Sequence, residues 1–185
     1  MKQENIFNNV SFNTERLTLR RIKEEDVKDY FEILSDEETL KYLNGVMTED
    51  GVRNYIFNQI KKDLNDYGGR YAVVLNSENK VIGEISLKYD ENNNKVEIGC
   101  LFNRNYWGNG YAIESIKFLV NFLFTKLNIN RIEGDCITEN EASLKMFKKL
   151  NMQYEGTHRK SRYIKRFNKY YDVCYYGLLR EDYLK

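Results

Sequence analysis

The chain has 185 residues, 42% of them apolar and 31% charged, enough for one compact domain around a single core. Its 29 Lys and Arg against 28 Asp and Glu leave a formal net charge of +1, which argues against a DNA binder driven by bulk charge and against an acidic disordered tail. No apolar run approaches the roughly 18 residues of a membrane span. The opening residues Met1-Lys2-Gln3-Glu4-Asn5 lead into no secretory-type apolar segment. Three cysteines, Cys100, Cys136 and Cys174, are odd in number and widely spaced, and the lone His158 completes no Cys/His cage. The expectation is a reduced, cytoplasmic protein with no metal and no membrane contact, and neither a disulfide scaffold nor multi-histidine catalysis.

Proline is absent, so turns fall to Gly, Asn and Asp. Residues 1–13 are polar and Asn-rich and read as a flexible arm, with residues 14–185 as a single domain. Leu17 and Leu19 alternate with Thr18 and Arg20 as a first strand over about 16–22. Val27, Tyr30, Phe31 and Leu34 follow at helical spacing, predicting a helix over about 24–35. A second helix over about 50–65 carries Val52, Tyr55, Ile56 and Ile60 and stops before Gly68-Gly69. Three strands, about 71–75, 81–89 and 95–102, form a meander joined by Asn-rich turns.

From Gly110 to Leu127 the pattern is apolar around most of its circumference, as in a long helix packed on a sheet. A strand over 131–137 and a short helix over 140–150 follow. Strand, helix, strand in this order predicts a crossover with one parallel pairing. The last 35 residues read as two long strands meeting at Phe167-Asn168. The fold class is α/β, a mixed sheet with helices on both faces.

The most informative stretch is Asn105-Tyr106-Trp107-Gly108-Asn109-Gly110-Tyr111-Ala112-Ile113-Glu114, which leaves a strand and opens the long helix. Two glycines one residue apart let the backbone approach a ligand closely. The first amides of the helix lack internal partners and carry its positive dipole end. Together they suit a pyrophosphate. A Walker loop needs Gly-Lys-Ser/Thr where Gly110-Tyr111-Ala112 stands. A dinucleotide fingerprint needs a third glycine where Ile113 stands, although Asp135 near the next strand end offers an acid.

Residues 96–112 resemble motif A of the GNAT superfamily of acyl-CoA-dependent N-acyltransferases, with Gly108 and Gly110 matching and Asn105 where the family has Arg or Gln. The form Tyr-Trp-Gly-x-Gly-Tyr-Ala is similar to the RimJ/RimL branch of ribosomal-protein N-terminal acetyltransferases. So is Asn140-Glu141-Ala142-Ser143 with Phe147 and Leu150-Asn151-Met152, in which Asn151 and Met152 replace the branch's Gly and Phe. The stretches Thr14-Glu15-Arg16-Leu17-Thr18-Leu19-Arg20, and Tyr170-Tyr171-Asp172 through Leu178-Leu179-Arg180, resemble the branch's opening and closing strands.

The resemblance implies a mostly antiparallel, splayed sheet of about seven strands, with acetyl-CoA as donor. It implies cofactor binding by Leu101, Phe102, Trp107, Gly108, Asn109, Gly110, Tyr111, Ala112, Asn140 and Ser143. Leu101 and Phe102 would offer backbone groups to pantetheine beside a bulge at Gly99. A primary amine, either a protein N-terminus or a small amine, would attack the thioester directly. Ser143 would donate a proton to the departing sulfur, because Phe147 fills the position where other members carry Tyr. Glu97 is the first choice of base, with Glu84, Glu133 and Asp135 as alternatives. The resemblance leaves a homodimer open. The basic hairpin residues Arg159, Lys160, Arg162, Lys165, Arg166 and Lys169 would contact an anion or simply stay solvated. Rival functions are a polyamine or antibiotic acetyltransferase of the same fold, a non-catalytic acyl-CoA sensor, and, more remotely, a nicotinamide oxidoreductase.

Overall fold

The computed structural model describes residues 11–43, 45–63 and 68–185. Among them, eight strands form one sheet in the order β1-β2-β3-β4-β5-β6-β8-β7. These are β1 (Phe12–Asn13), β2 (Leu17–Arg21), β3 (Gly68–Leu75), β4 (Lys80–Asp90), β5 (Lys95–Phe102), β6 (Arg131–Ile137), β7 (Gln153–Ile164) and β8 (Lys169–Leu179). The helices are α1 (Val27–Leu34), α2 (Glu49–Asp63), α3 (Tyr111–Thr125), α4 (Glu141–Lys149) and α5 (Arg180–Tyr183). Every pairing is antiparallel except β5 with β6, the pair joined by the α3 crossover. Among the described residues no helix is long and apolar enough to cross a membrane.

Alternation along the strands sends two apolar sets to opposite faces. Leu17, Leu19, Val73, Ile85, Val96 and Ile132 pack with Ile116, Leu119 and Leu123 of α3 and Phe147 of α4. Ala72, Val74 and Val81 pack with Tyr30 and Ile33 of α1 and Val52 and Ile56 of α2. The mixed α/β sheet with helices on both faces is therefore the one that the periodicity predicts.

The strand count is eight rather than about seven, because Phe12 and Asn13 pair with Leu19 and Thr18. Residues 1–10 of the expected arm lie outside the described residues, but Phe12 corrects the arm's boundary. It is buried, with ring centroids 5.5 Å from Tyr71, 5.8 Å from Phe118 and 4.8 Å from Phe122. Burying so large a ring opposes the entropy of a free segment.

The sheet opens in its middle. β5 and β6 pair only at Lys95↔Arg131, Val96↔Ile132 and Glu97↔Glu133. Beyond that point β5 stays with β4 as far as Gly83↔Phe102, and β6 stays with β8 as far as Ile137↔Val173. The expected bulge at Gly99 is absent on the β4 side, where the register runs unbroken through Ser86↔Gly99. Gly99 is small for another reason: a Cβ there would lie 2.8 Å from Ser86 Oγ.

Gly134 sits at the fork. A Cβ on it would stand 2.9 Å from Cε1 of Phe147 and 3.3 Å from the Ile98 carbonyl oxygen. The Phe147 ring is buried and stacked on Tyr176 at 4.8 Å, so it has little room to move. Gly134→Val is expected to destabilise the protein by about 1–3 kcal/mol through overpacking, read as a lower urea midpoint. Unchanged stability would show that Phe147 does not hold the fork.

Candidate active site

Gly108 and Gly110 both take left-handed backbone conformations, at φ 80° and 82°, which only glycine adopts routinely. The turn they make leaves a row of donors. No described protein group accepts from the amides of residues 108–113, whereas the flanking Trp107 and Glu114 amides bond to the carbonyls of Arg104 and Gly110. The loop is held by its own polar groups. The Asn105 amide donates to Oδ1 of buried Asn103 at 3.0 Å, and Asn109 Nδ2 donates back to the Tyr106 and Trp107 carbonyls at 3.2 Å each.

A second contact holds this turn from the far side. Arg16 donates from Nε to Glu114 Oε2 at 2.7 Å and from Nη1 to the Asn109 carbonyl at 3.1 Å, with its guanidinium 4.5 Å from the Tyr111 ring centroid. The Thr14 hydroxyl and the Arg16 amide occupy Glu114 Oε1 at 2.6 and 3.0 Å. Burial by itself raises the Glu114 carboxyl pKa, but the bonds from Thr14 and Arg16 outweigh it and hold it below the usual range.

The β5 strand presents its backbone to the fork in alternation. Asn103 donates its amide to Ile82 of β4 at 2.9 Å, which turns the peptide groups of Leu101 toward β4 as well and those of Cys100 and Phe102 toward the gap. Leu101 is therefore corrected as a backbone donor to a ligand in the gap. Cys100, not Leu101, faces the gap beside Phe102. The Phe102 carbonyl already accepts the Trp107 indole N–H at 2.8 Å and keeps one free lone pair.

Gap and loop open into one cleft of about 730 Å³. It brings together Leu101, Phe102, Trp107, Gly108, Gly110, Tyr111, Ala112, Asn140 and Ser143. Asn109 is not on the wall, because its side chain folds back on the loop. Asn140 caps α4, its Oδ1 accepting the Ser143 amide at 3.2 Å. Ser143 is half-buried, and its hydroxyl makes no hydrogen bond to any described group, unlike Ser115, which bonds back to Tyr111 and Ala112.

Sequence reasoning missed Thr39 and Tyr42, which reach the cleft with Glu38 from the segment after α1. Their signal is weak: Tyr42 belongs to no periodic run, and what places it is its contact with Tyr171 and its bond to the Glu139 carbonyl. Cys100 also lines the cleft. Its thiol lies 3.7 Å from Met146 Sδ, and burial pushes its pKa up to about 12, which favours the protonated thiol.

A family model described as "Acetyltransferase (GNAT) domain" matches residues 16–153. The chain belongs to the GNAT acetyltransferase family. It is 35% identical over 173 residues to a protein of Bacillus licheniformis named as an uncharacterized N-acetyltransferase, p20, covering 92% of this chain and 96% of that one. It is 32% identical to YnaD of Bacillus subtilis, likewise named as an uncharacterized N-acetyltransferase, over 91% of this chain and 96% of that one. A crystal structure of a GNAT-family acetyltransferase from Bacillus anthracis superposes with a TM-score of 0.83 at 29% identity, over 93% of this chain and 99% of that one. A RimL ribosomal L7/L12 α-N-protein acetyltransferase in complex with coenzyme A shares the fold with a TM-score of 0.81 at 20% identity, over 92% of this chain and 98% of that one. The chain is thus an acyltransferase with the RimJ/RimL-like features that its motifs carry.

In this GNAT enzyme the carboxylates singled out as bases lie away from the cleft wall. Glu97 is 47% exposed with Lys88 Nζ 3.7 Å away, on the surface of the sheet. Glu84 is buried between α1, α2 and the sheet, accepting from Tyr55 at 2.7 Å and from Arg70. Glu133 bonds Lys95 and Arg131, and Asp135 bonds Arg162 at 2.6 Å. The carboxylates on the cleft wall are Glu38, Glu139 and Glu141. Glu97→Gln is accordingly expected to leave the pH profile of kcat/KM unchanged. A lost acidic limb in that profile would return Glu97 to the mechanism.

Proposed function

We propose that the chain is an acetyl-CoA-dependent N-acetyltransferase acting on a primary amine, either a protein N-terminus or a small amine, through a ternary complex. One observation carries this reading: a row of unpartnered amides at the start of α3 and an unpaired strand edge on β5 open into the same cleft. The amides of residues 108–113 suit a diphosphate, and the gap-facing peptide groups of Cys100 and Phe102 suit an extended amide chain laid along β5. The coenzyme A complex of the RimL neighbour supports the choice of ligand.

When bound, acetyl-CoA supplies an activated acyl carbon. Alignment is the protein's first contribution, since the cleft would hold donor and amine together instead of leaving them to meet in solution. The amine nitrogen forms its bond to the acetyl carbonyl carbon, the carbon–sulfur bond breaks, and the Ser143 hydroxyl gives its proton to the sulfur. Water reprotonates Ser143, and the proton shed by the amine leaves to solvent through the open cleft. Asn140 would orient the pantetheine arm with the amide nitrogen that its capping bond leaves free.

Thiol release from acetyl-CoA with a panel of amines and N-terminal peptides tests the function. Turnover on peptides supports the N-terminal reading, and turnover on polyamines or aminoglycosides supports the small-molecule one. Tight coenzyme binding with no thiol release from any amine would mark a sensor module instead. Ser143→Ala should lower kcat about tenfold or more, the low end for lost acid–base assistance. An unchanged kcat at saturating acetyl-CoA would remove Ser143 from the mechanism.

A further inference from the structure

The stretch Thr14-Glu15-Arg16 lies outside the cleft and has no part in the chemistry above, yet it is bonded to the loop that faces the diphosphate. We infer that Arg16 is a positioning residue for anion binding at that loop, drawing the Asn109 carbonyl and the Glu114 carboxylate to its far side so that only N–H groups face the ligand. This rests on the coenzyme reading of the preceding section.

The loop carries two negative groups that an incoming diphosphate would meet. Glu114 stands in the first turn of α3, where a carboxylate is itself favoured by the helix dipole and competes with an anionic ligand for the same field. The Asn109 carbonyl belongs to the turn itself. Arg16 engages both at once: Nε and Nη2 lie 2.7 and 2.6 Å from Glu114 Oε2, and Nη1 lies 3.1 Å from the Asn109 oxygen. A planar fork with several donors can span these two acceptors, whereas a lysine ammonium is a single point charge. Thr14 and the Arg16 amide take up Glu114 Oε1, so neither carboxylate oxygen is left without donors on the strand side.

The guanidinium also reaches the glycine turn. It lies over the Tyr111 ring, and a Cβ on Gly110 would come 3.6 Å from Nη2. Tyr111 and Gly110 are both on the cleft wall. Arg16 is 42% exposed, and an ion pair this open to solvent adds little to stability, so the effect of substitution should appear in ligand binding before it appears in folding.

The experiment is calorimetric titration of the intact wild-type and variant chains with coenzyme A and, separately, with pantetheine, which lacks the diphosphate. Thermal melts of each variant run alongside. Arg16→Ala should weaken coenzyme A binding by roughly fivefold to thirtyfold, the upper part of the range for a partly buried charge at a helix terminus, with pantetheine binding unchanged. Arg16→Lys should recover only part of the loss. Glu114→Gln introduced into Arg16→Ala should also recover part of it, because the uncompensated carboxylate is then gone.

Coenzyme A affinity within twofold of wild type in Arg16→Ala overturns the inference and leaves the coenzyme reading standing. An equal loss for pantetheine overturns it too, since Arg16 would then act through the fold and not through the loop. Failure of the wild-type chain to bind coenzyme A would sink the underlying reading itself, and this inference with it.

Discussion

Everything that makes a site here follows from one interrupted ladder. A sheet normally satisfies the peptide groups of every interior strand, and leaving them unpaired in a closed core is costly. β5 and β6 stop pairing after Glu97↔Glu133, and each then depends on its outer neighbour, β4 or β8. The separation is held by packing: Phe147 of α4 is buried against Gly134 and stacked on Tyr176, and the small residue lets the ring sit at the fork. The result is an internal strand edge that is open to a ligand and to water.

The crossover geometry turns that edge into a cleft. Because β5 and β6 are parallel, the chain must return by a helix, and α3 starts where β5 ends. Its unpartnered N-terminal amides therefore come to lie beside the gap, while the Asn140 cap of α4 closes the opposite wall. One topological fact places a turn of unpartnered amides and an unpaired strand edge side by side, and on that juxtaposition the proposed coenzyme site rests.

Charge is distributed around this cleft by pairing more than by accumulation. Half of the cations on the basic β7–β8 hairpin are tied to the body of the protein: Arg162 to Asp135, Arg166 to Glu37, and Lys169 to Glu139. The segment after α1 is fastened to the hairpin by Arg166, with Tyr42 packed on Tyr171. Such contacts are worth little singly at a surface, and their interest is geometric, in holding the segment that brings Glu38, Thr39 and Tyr42 to the cleft wall.

The residues that repeat or punctuate were legible in the chain itself. Period-two and period-3.6 patterns set the strands and helices, and Gly108 and Gly110 with a following helix set the turn, because glycine takes its left-handed angles without steric cost. The family was legible for the same reason, since its motif is a backbone requirement written as residue types. What depends on a partner strand or a distant contact was not. Whether Leu101 or Cys100 turns its peptide to the gap is decided by hydrogen bonds to β4, and no side chain of β5 encodes that choice. Glu97 looked suitable by strand position, but the fold placed it on an open face and brought Glu38 and Glu139 to the cleft instead. Phe12 looked like part of a tail until the rings of Tyr71 and Phe122 gave it a place in the core. Local propensity and backbone strain are properties of short stretches, so the sequence alone determined the elements, the turn and the family. Burial, register and charge pairing arise only when remote segments meet, so only the tertiary structure decided which of those residues face the cleft.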